Sequence, residues 1–152
     1  MKSYNIDSVD RKILSRMVED ATVSYAELGK LVSLSPPAVH ERVKRLRKSG
    51  VIERTTIEIN PRALDKSLLA FIHVNTSGWG KAPKLLDLED LPEVEEVHSV
   101  AGDTSIVLKV RTEDTQTLEL FLARIYTISG VVSTRTYVVL STYLERSVQI
   151  NQ

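Results

Sequence analysis

The chain contains no cysteine among its 152 residues, which excludes disulfide bridges and thiolate metal sites. A reducing cytoplasm is therefore the expected compartment. No apolar stretch approaches the roughly 18 residues that a membrane-spanning helix needs, and the N-terminus lacks the apolar core of a secretory signal. The sequence thus predicts a cytoplasmic protein that does not interact with a membrane.

The chain also has no net charge, because 20 Lys and Arg residues balance 20 Asp and Glu residues. The balance hides an asymmetry. Residues 1–62 hold 12 basic against 8 acidic side chains, giving +4, whereas residues 63–152 hold 8 against 12, giving −4. A chain of this length forms one medium domain or two small ones, and the charge division favours two. The basic half is the candidate for contact with an acidic partner such as DNA.

A basic helix is predicted to begin after Ser35. Ser35 is a preferred N-cap residue, and Pro36 suits the first helical position, where its missing N–H costs nothing. Val39, Val43 and Leu46 follow at i, i+4 and i+7 and form one apolar stripe. The opposite face is basic, as expected of a DNA-recognition helix, although a solvated helix face is the alternative interpretation.

Two earlier helices favour the DNA-binding interpretation. Ser24 and Glu27 form a capping-box pattern before a short helix over about residues 24–31, and Asp7 precedes an apolar stripe from Val9 to Val18. Only a short turn then separates the second helix from Ser35, as in a helix-turn-helix. Gly50 ends the third helix, and the β-branched pattern of residues 55–59 predicts a strand or wing. Residues 1–60 are therefore predicted to form a winged helix-turn-helix domain.

The second half has a different pattern. After a linker over residues 61–67, it alternates a strand (68–75), a helix (81 to about 90), two strands (94–100 and 105–110) joined by a turn at Gly102-Asp103, a helix (118–128) and a strand from Val132 to about Tyr143. This βαββαβ order predicts a ferredoxin-like domain over residues 68–152, and an α+β fold for the whole chain. An apolar sheet face without helices over it predicts homodimerisation by sheet-on-sheet packing.

The chain resembles the Lrp/AsnC, or feast/famine, transcriptional regulators over nearly its whole length. The resemblance rests on motifs whose order and spacing are specific together: Leu34-Ser35-Pro36, Glu41-Arg42-Val43-Lys44-Arg45-Leu46, Gly50-Val51-Ile52, Asn60-Pro61, Ala101-Gly102-Asp103 and Thr134-Arg135-Thr136-Tyr137-Val138-Val139. It implies a regulator of amino-acid-related metabolism whose C-terminal domain is of the RAM type. It further implies dimers that assemble into tetramers or octamers, and an amino-acid effector bound between dimers.

For DNA binding, Arg45 is the candidate for a guanine contact, and Glu41 either holds Arg45 or accepts from a cytosine amino group. Phosphate contacts that set the register are expected from Arg42, Lys44, Lys48 and Arg54. The complete predicted double-stranded DNA interface comprises Ser35, Pro37, Ala38, His40, Glu41, Arg42, Lys44, Arg45, Lys48 and Arg54.

The effector site implied by the resemblance lies near the turn at Gly102 and Asp103. Many similar regulators carry Gly-Asp-aromatic-Asp there, whereas here Thr104 and Ser105 follow, so the aromatic residue and the second acid are missing. Asp103 can still meet an α-ammonium group, and neighbouring hydroxyls can bind either end of an amino acid. A plain hairpin turn is the alternative. The predicted effector residues are Gly102, Asp103, Thr104, Ser105, Thr134, Thr136 and Tyr137.

No enzyme, cofactor or metal site is predicted. His40, His73 and His98 lie far apart without the spacing of metal ligands. The domain order also resembles sirohaem-modifying decarboxylases, yet no nucleophile-base pair or paired carboxylates accompany it here. An orphan regulator without an effector and a chromatin-organising protein with little sequence preference remain open alternatives.

Overall fold

The computed structural model describes residues 5–77, 88 and 90–150. The chain packs as two compact units. The first gathers the residues up to Glu58 together with the segment from Leu144 onward, and the second spans Ile59–Tyr143. The sequence-based division assigned that last segment to the second domain, and its boundaries (1–60, 61–67 and 68–152) stay a prediction. Each unit has its own hydrophobic core.

Three helices form the first unit, as the sequence predicts: α1 (Ser8–Glu19), α2 (Tyr25–Val32) and α3 (Pro36–Lys48). Asp7, Ser24 and Ser35 are their N-caps, and the first two complete capping boxes with Asp10 and Glu27. Side-chain acceptors at these positions satisfy backbone N–H groups that a helix start leaves unpaired. A fully buried cluster joins the three helices: Ile13, Leu28, Val39 and Val43.

Some sequence-based assignments in this unit are wrong. Val18 was placed at the end of the apolar stripe of its helix but is about half exposed. The wing predicted for residues 55–59 does not form, since no strand covers this segment. Ile57 is 78% exposed, and an extended segment with no strand beside it within the described chain has no partner for its ladder hydrogen bonds. A short 3₁₀ helix, Pro61–Leu64, follows.

The second unit is built on a four-stranded antiparallel sheet of β1 (Leu68–Thr76), β2 (Val94–Ser99), β3 (Ile106–Thr112) and β4 (Val131–Val138), ordered β2-β3-β1-β4. Helix α4 (Thr115–Thr127) connects β3 to β4. This order confirms the ferredoxin-like fold. The first helix of the motif, predicted over residues 81 to about 90, lies almost entirely outside the described residues, as does Trp79.

The core of this unit lies on one face of the sheet. Alternate residues of β1 and β3 are buried against α4, whose Phe121 and Ile125 are fully buried. Strand β4 was predicted to reach Tyr143 but ends at Val138. Its final ladder contact is from Val139 N–H to Leu69 C=O, at the beginning of β1. Only Leu68 of β1 remains beyond this contact, and Leu140 and Tyr143 are exposed.

The opposite face of the sheet carries large side chains that remain accessible. Phe71 on β1 is 37% exposed, and Tyr137, its register partner on β4, is 47% exposed. In the next row His73 lies between Arg135 and Val107. The His73 and Tyr137 rings are in contact, with centroids 5.0 Å apart. This surface, named the open sheet face below, is therefore partly apolar and partly charged.

Within residues 5–77, 88 and 90–150, no helix has both the length and the apolar character required to cross a bilayer. Over the same residues, no three His, Asp or Glu side chains are grouped as ligands for a metal ion.

Candidate nucleic-acid interface and effector site

The beginning of α3 is fixed by its cap. The Ser35 hydroxyl accepts from Ala38 N–H at 3.4 Å, and Pro36 occupies the first turn. Val39, Val43 and Leu46 are fully buried, as predicted. Because these three residues lie along one side of the helix, the side chains on the opposite side must point outward.

The outward side of α3 carries the predicted reading residues. Glu41, Lys44, Arg45 and Lys48 are exposed, and Arg54 is exposed in the segment after the helix. The sequence suggested that Glu41 holds Arg45. Instead the Glu41 carboxylate lies 3.9 Å from Lys44 Nζ and 3.6 Å from His40 Nδ1. The structure also exposes Ser35, Pro37 and His40, and leaves Ala38 partly exposed.

Arg42 differs from its exposed neighbours, because its side chain is hydrogen-bonded within the fold. Its guanidinium donates to Asp7 Oδ2 at 2.7 Å and to Asp10 Oδ1 at 2.8 Å. The Asp10 side chain is only 1% exposed. These hydrogen bonds raise the pKa of Arg42 further, and Arg42 lowers the pKa of Asp7 below its usual range. Arg42 therefore fastens α3 to the N-terminus of α1, and these hydrogen bonds favour a structural role over the predicted phosphate contact.

Two further residues were not among the predicted site residues. Arg47, in the last turn of α3, is exposed and adds a positive charge beside Lys48. Gly29, inside α2, is buried where the chain turns back towards α3. A Cβ atom at Gly29 would lie 2.5 Å from the Leu34 carbonyl oxygen. A lone glycine inside a helical pattern is the signal that indicates such a close approach.

We expect Gly29→Ala to lower the free energy of unfolding by about 1 to 3 kcal/mol, because the backbone at Leu34 must move to admit the methyl group. Urea denaturation followed by circular dichroism measures the change. Lys30→Ala, at the exposed neighbouring position, is the control and should change the unfolding free energy by less than about 0.5 kcal/mol. Equal stability of the two variants would show that the turn relaxes without cost.

The predicted effector turn brings together two opposite charges. Asp103 Oδ2 lies 3.4 Å from Arg135 Nη1, and both side chains are largely exposed. Two neighbours raise the pKa of Arg135 above its usual value. Tyr137 is the larger cause, and Asp103 is the smaller one. Arg135 was not among the predicted effector residues, although its position two residues before Tyr137 on one strand places both on the open sheet face. Asp103, Arg135 and Tyr137 are thus neighbours here.

The other predicted effector hydroxyls are engaged within the fold. Thr104 Oγ1 donates to the Val74 carbonyl at 3.1 Å, and Ser105 Oγ accepts from Thr76 N–H at 3.4 Å. Both hydrogen bonds fasten the turn to β1. Thr134 contacts the Tyr126 hydroxyl at 3.0 Å, and Thr136 pairs in register with Ile72 on the core side of the sheet. The structure therefore does not bring all seven predicted effector residues together.

Comparison with known proteins gives independent information. The AsnC-type helix-turn-helix domain matches residues 6–47, and the Lrp/AsnC ligand binding domain matches residues 69–149. Together these matches cover most of the chain. They coincide with the three-helix unit and with the sheet and its following segment.

Individual relatives indicate the same family as the two domain matches. The chain is 36% identical over 140 residues to the HTH-type transcriptional regulator FL11 of Pyrococcus furiosus, covering 92% of this chain and 93% of the relative. It is 37% identical over 142 residues to the leucine-responsive regulatory protein of Escherichia coli K12, with 90% and 85% covered. The structure of a feast or famine regulatory protein from M. tuberculosis complexed with L-methionine superposes with a TM-score of 0.90 at 33% identity, covering 97% of this chain and all of the other. The chain therefore belongs to the Lrp/AsnC family of transcriptional regulators.

Proposed function

We propose that this regulator binds specific DNA sequences as a homodimer, by placing α3 of each copy in the major groove, and controls genes of amino-acid-related metabolism. The exposed basic side of α3 is the observation that carries the proposal. The buried stripe of α3 determines which of its side chains point outward. Five exposed cations lie on the helix or just after it: Lys44, Arg45, Arg47, Lys48 and Arg54.

The exposed and partly exposed residues fall into three groups by their chemistry. Arg45 carries a planar guanidinium that can donate two hydrogen bonds to a guanine edge. Glu41 lies one turn earlier and can accept from a cytosine amino group. Lys44, Lys48 and Arg54 supply charge for phosphates. The small or rigid residues Ser35, Pro37 and Ala38 allow the beginning of the helix to approach the groove closely.

We expect Arg45→Ala to weaken binding to the preferred sequence by about 1 to 3 kcal/mol and to relax the preference at one base pair of each half-site. Lys48→Ala should instead weaken all sequences alike and reduce the salt slope by about 1 per half-site. Fluorescence anisotropy with DNA from the gene's own upstream region, single-base variants and scrambled DNA measures both. Equal losses on every sequence for both variants would contradict the division between base and phosphate contacts.

The open sheet face supports a homodimer. Phe71 and Tyr137 expose apolar surface there, and His73 Nδ1 is buried without a hydrogen-bond partner in the described part of the chain. Packing of the same face from a second copy would cover both rings and close the assembly with two-fold symmetry. A two-fold dimer reads a near-palindromic site, with half-sites about one helical turn or a multiple apart. We propose that these dimers then assemble into tetramers or octamers.

An amino acid is the effector class that we propose. The Asp103 carboxylate can meet an α-ammonium group and the Arg135 guanidinium can meet an α-carboxylate, and the two groups are adjacent. The M. tuberculosis relative was solved with L-methionine. Such a ligand would act by favouring one arrangement of dimers, without itself touching DNA. Repeating the anisotropy titrations with and without pooled amino acids tests this step, and a change in affinity or cooperativity supports it.

A regulator without an amino-acid effector is the second candidate. It is favoured by the hydrogen bonds of Thr104 and Ser105 to β1, which engage two hydroxyls that a ligand would use. Sequence-preferring binding with no response to the pool would support this candidate. Binding that is steeply salt-dependent but equal on scrambled DNA would instead indicate a chromatin-organising role.

A further inference from the structure

We propose that residues 144–150 form a strap that restrains the DNA-binding unit and thereby sets the half-site spacing that the dimer prefers. The strap packs with the first unit after the chain has left the sheet of the second unit. The inference rests on the proposed DNA-binding function. It adds a reason why the two copies of α3 would be presented at a defined separation.

The path of the chain is the first observation. Strand β4 ends at Val138, and the chain joins the first unit at Leu144. The chain therefore passes between the two units twice, between Glu58 and Ile59 and again between Tyr143 and Leu144. A unit held by a single connection is expected to move relative to its neighbour. A second connection restricts that motion as long as it stays docked.

The strap is docked along α1. Arg146 and Ile150 of the strap line a cavity of about 330 Å³ together with Ser15, Val18 and Glu19 of α1. All the described residues that line this cavity belong to the first unit, and none of them comes from α3. The docked strap and DNA would therefore use different surfaces of the same unit.

The two chain connections meet at this cavity. Glu58, the last residue before the first connection, lines the cavity together with Glu145 of the strap. A single connection allows the unit to swivel about it. A second attachment beside the first removes that swivel without changing how far the unit lies along the chain from the sheet.

Few apolar side chains hold the strap. Leu144 is 67% exposed and Val148 is 86% exposed, whereas Ile150 is partly buried. The buried cluster that joins the three helices contains no residue of the strap. Removal of the strap should therefore leave the fold of the first unit intact, and docking should be reversible.

Charge contributes to the docking. Arg146 is the one cation among the described residues that line the cavity, and the carboxylates of Glu19, Glu58 and Glu145 line it as well. All four side chains are exposed, so their attraction is modest and is screened by salt. Replacing Arg146 with glutamate would place four carboxylates around the cavity and should release the strap.

Strand β4 connects the strap to the proposed dimer interface. Tyr137 of β4 lies on the open sheet face, and the same chain continues from β4 into the strap. A dimer formed through that face therefore fixes the beginning of both straps in one two-fold arrangement. Docked straps would then hold both copies of α3 at one separation, which raises the effective concentration of the second reading helix only for a matching half-site spacing.

Anisotropy titrations on three DNAs test the inference. They are the near-palindromic site that the wild type prefers, the same site with about five additional base pairs between its half-sites, and an isolated half-site. The insertion turns one half-site to the opposite side of the duplex. The ratio of the first two affinities measures the spacing preference. Truncation after Tyr143 should lower this ratio at least about 10-fold and change the half-site affinity less than about 2-fold.

Two full-length variants test the strap without shortening the chain. Arg146→Glu should lower the spacing preference at least about 3-fold, because it releases part of the straps. Arg146→Lys keeps the positive charge and is the matched control, which should preserve the preference. Sedimentation velocity and circular dichroism verify the dimer and the fold of each variant. If the truncated chain does not fold, the comparison of Arg146→Glu with Arg146→Lys decides.

Three results would overturn the inference. An unchanged spacing preference in folded, truncated protein would exclude a role for the strap. Equal losses on all three DNAs would show that the strap only stabilises the DNA-binding unit, and loss of the dimer in Arg146→Glu would assign the effect to assembly. A wild type that prefers its site but tolerates the insertion would contradict the strap alone, whereas a wild type without any sequence preference would contradict the proposed function.

Discussion

Replacing Arg42 with alanine is expected to lower the free energy of unfolding by about 3 to 5 kcal/mol, although the residue lies on the helix proposed to bind DNA. The reason is the buried carboxylate of Asp10, which the Arg42 guanidinium neutralises at 2.8 Å. Removal of one partner from such a pair leaves a charge in a poorly solvated position. The loss of DNA binding in Arg42→Ala would then follow from unfolding of the reading unit.

The same network predicts a sign for the effect of pH. Arg42 lowers the pKa of Asp7 in the folded state, so the pair contributes stability above the ordinary aspartate pKa of about 4. This contribution is lost as the pH falls through the lowered folded pKa. The wild type should therefore lose stability on acidification more steeply than Arg42→Ala, in which the pKa of Asp7 is no longer lowered by the guanidinium.

Urea denaturation at neutral pH measures the stability change, with Arg47→Ala as the matched control on the same helix. Arg47 is exposed, so its replacement should change the unfolding free energy by less than about 0.5 kcal/mol. Adding Asp10→Asn to Arg42→Ala should recover part of the loss, because the buried charge is then removed as well. If Arg42→Ala unfolds at the same urea concentration as Arg47→Ala, Arg42 returns to the candidate DNA contacts.

The sequence was sufficient to predict features that depend on local interactions. The N-caps Asp7, Ser24 and Ser35 lie within three residues of the groups they satisfy, and a capping pattern is readable over that distance. The apolar stripe of α3 has the period of a helix and was correctly assigned to the core. The order of strands and helices was sufficient to predict the ferredoxin-like sheet.

Features that depend on distant residues were not predictable in the same way. The partners of Arg42 lie 32 and 35 residues earlier, so its basic side chain resembled those of its exposed neighbours. The end of β4 depends on where β1 begins, and the wing required a strand that the described chain does not provide. Thr104 appeared available for a ligand because its acceptor, the Val74 carbonyl, is 30 residues away.

The largest effect on assembly is expected at the centre of the open sheet face. Phe71→Asp should raise the dissociation constant of the proposed dimer by at least about 100-fold, because two carboxylates, one from each copy, would be buried where two rings packed. Lys109 is the register partner of Phe71 on β3, and its Nζ already lies within 3.5 Å of the Glu95 and Glu96 carboxylates. The introduced aspartate would therefore have to share Lys109 with these two carboxylates. DNA affinity for a palindromic site should fall with the dimer.

Leu120→Asp is the matched control for this prediction, because it makes the same substitution in the same unit but on the outer surface of α4. Leu120 is 69% exposed and lies away from the sheet, so its replacement should leave the dimer intact. Sedimentation velocity over a series of protein concentrations measures the monomer fraction, and circular dichroism verifies the fold of both variants. A folded Phe71→Asp protein that remains dimeric would exclude the open sheet face as the interface. A monomer that keeps full affinity for the palindrome would instead show that the two DNA-reading units bind independently.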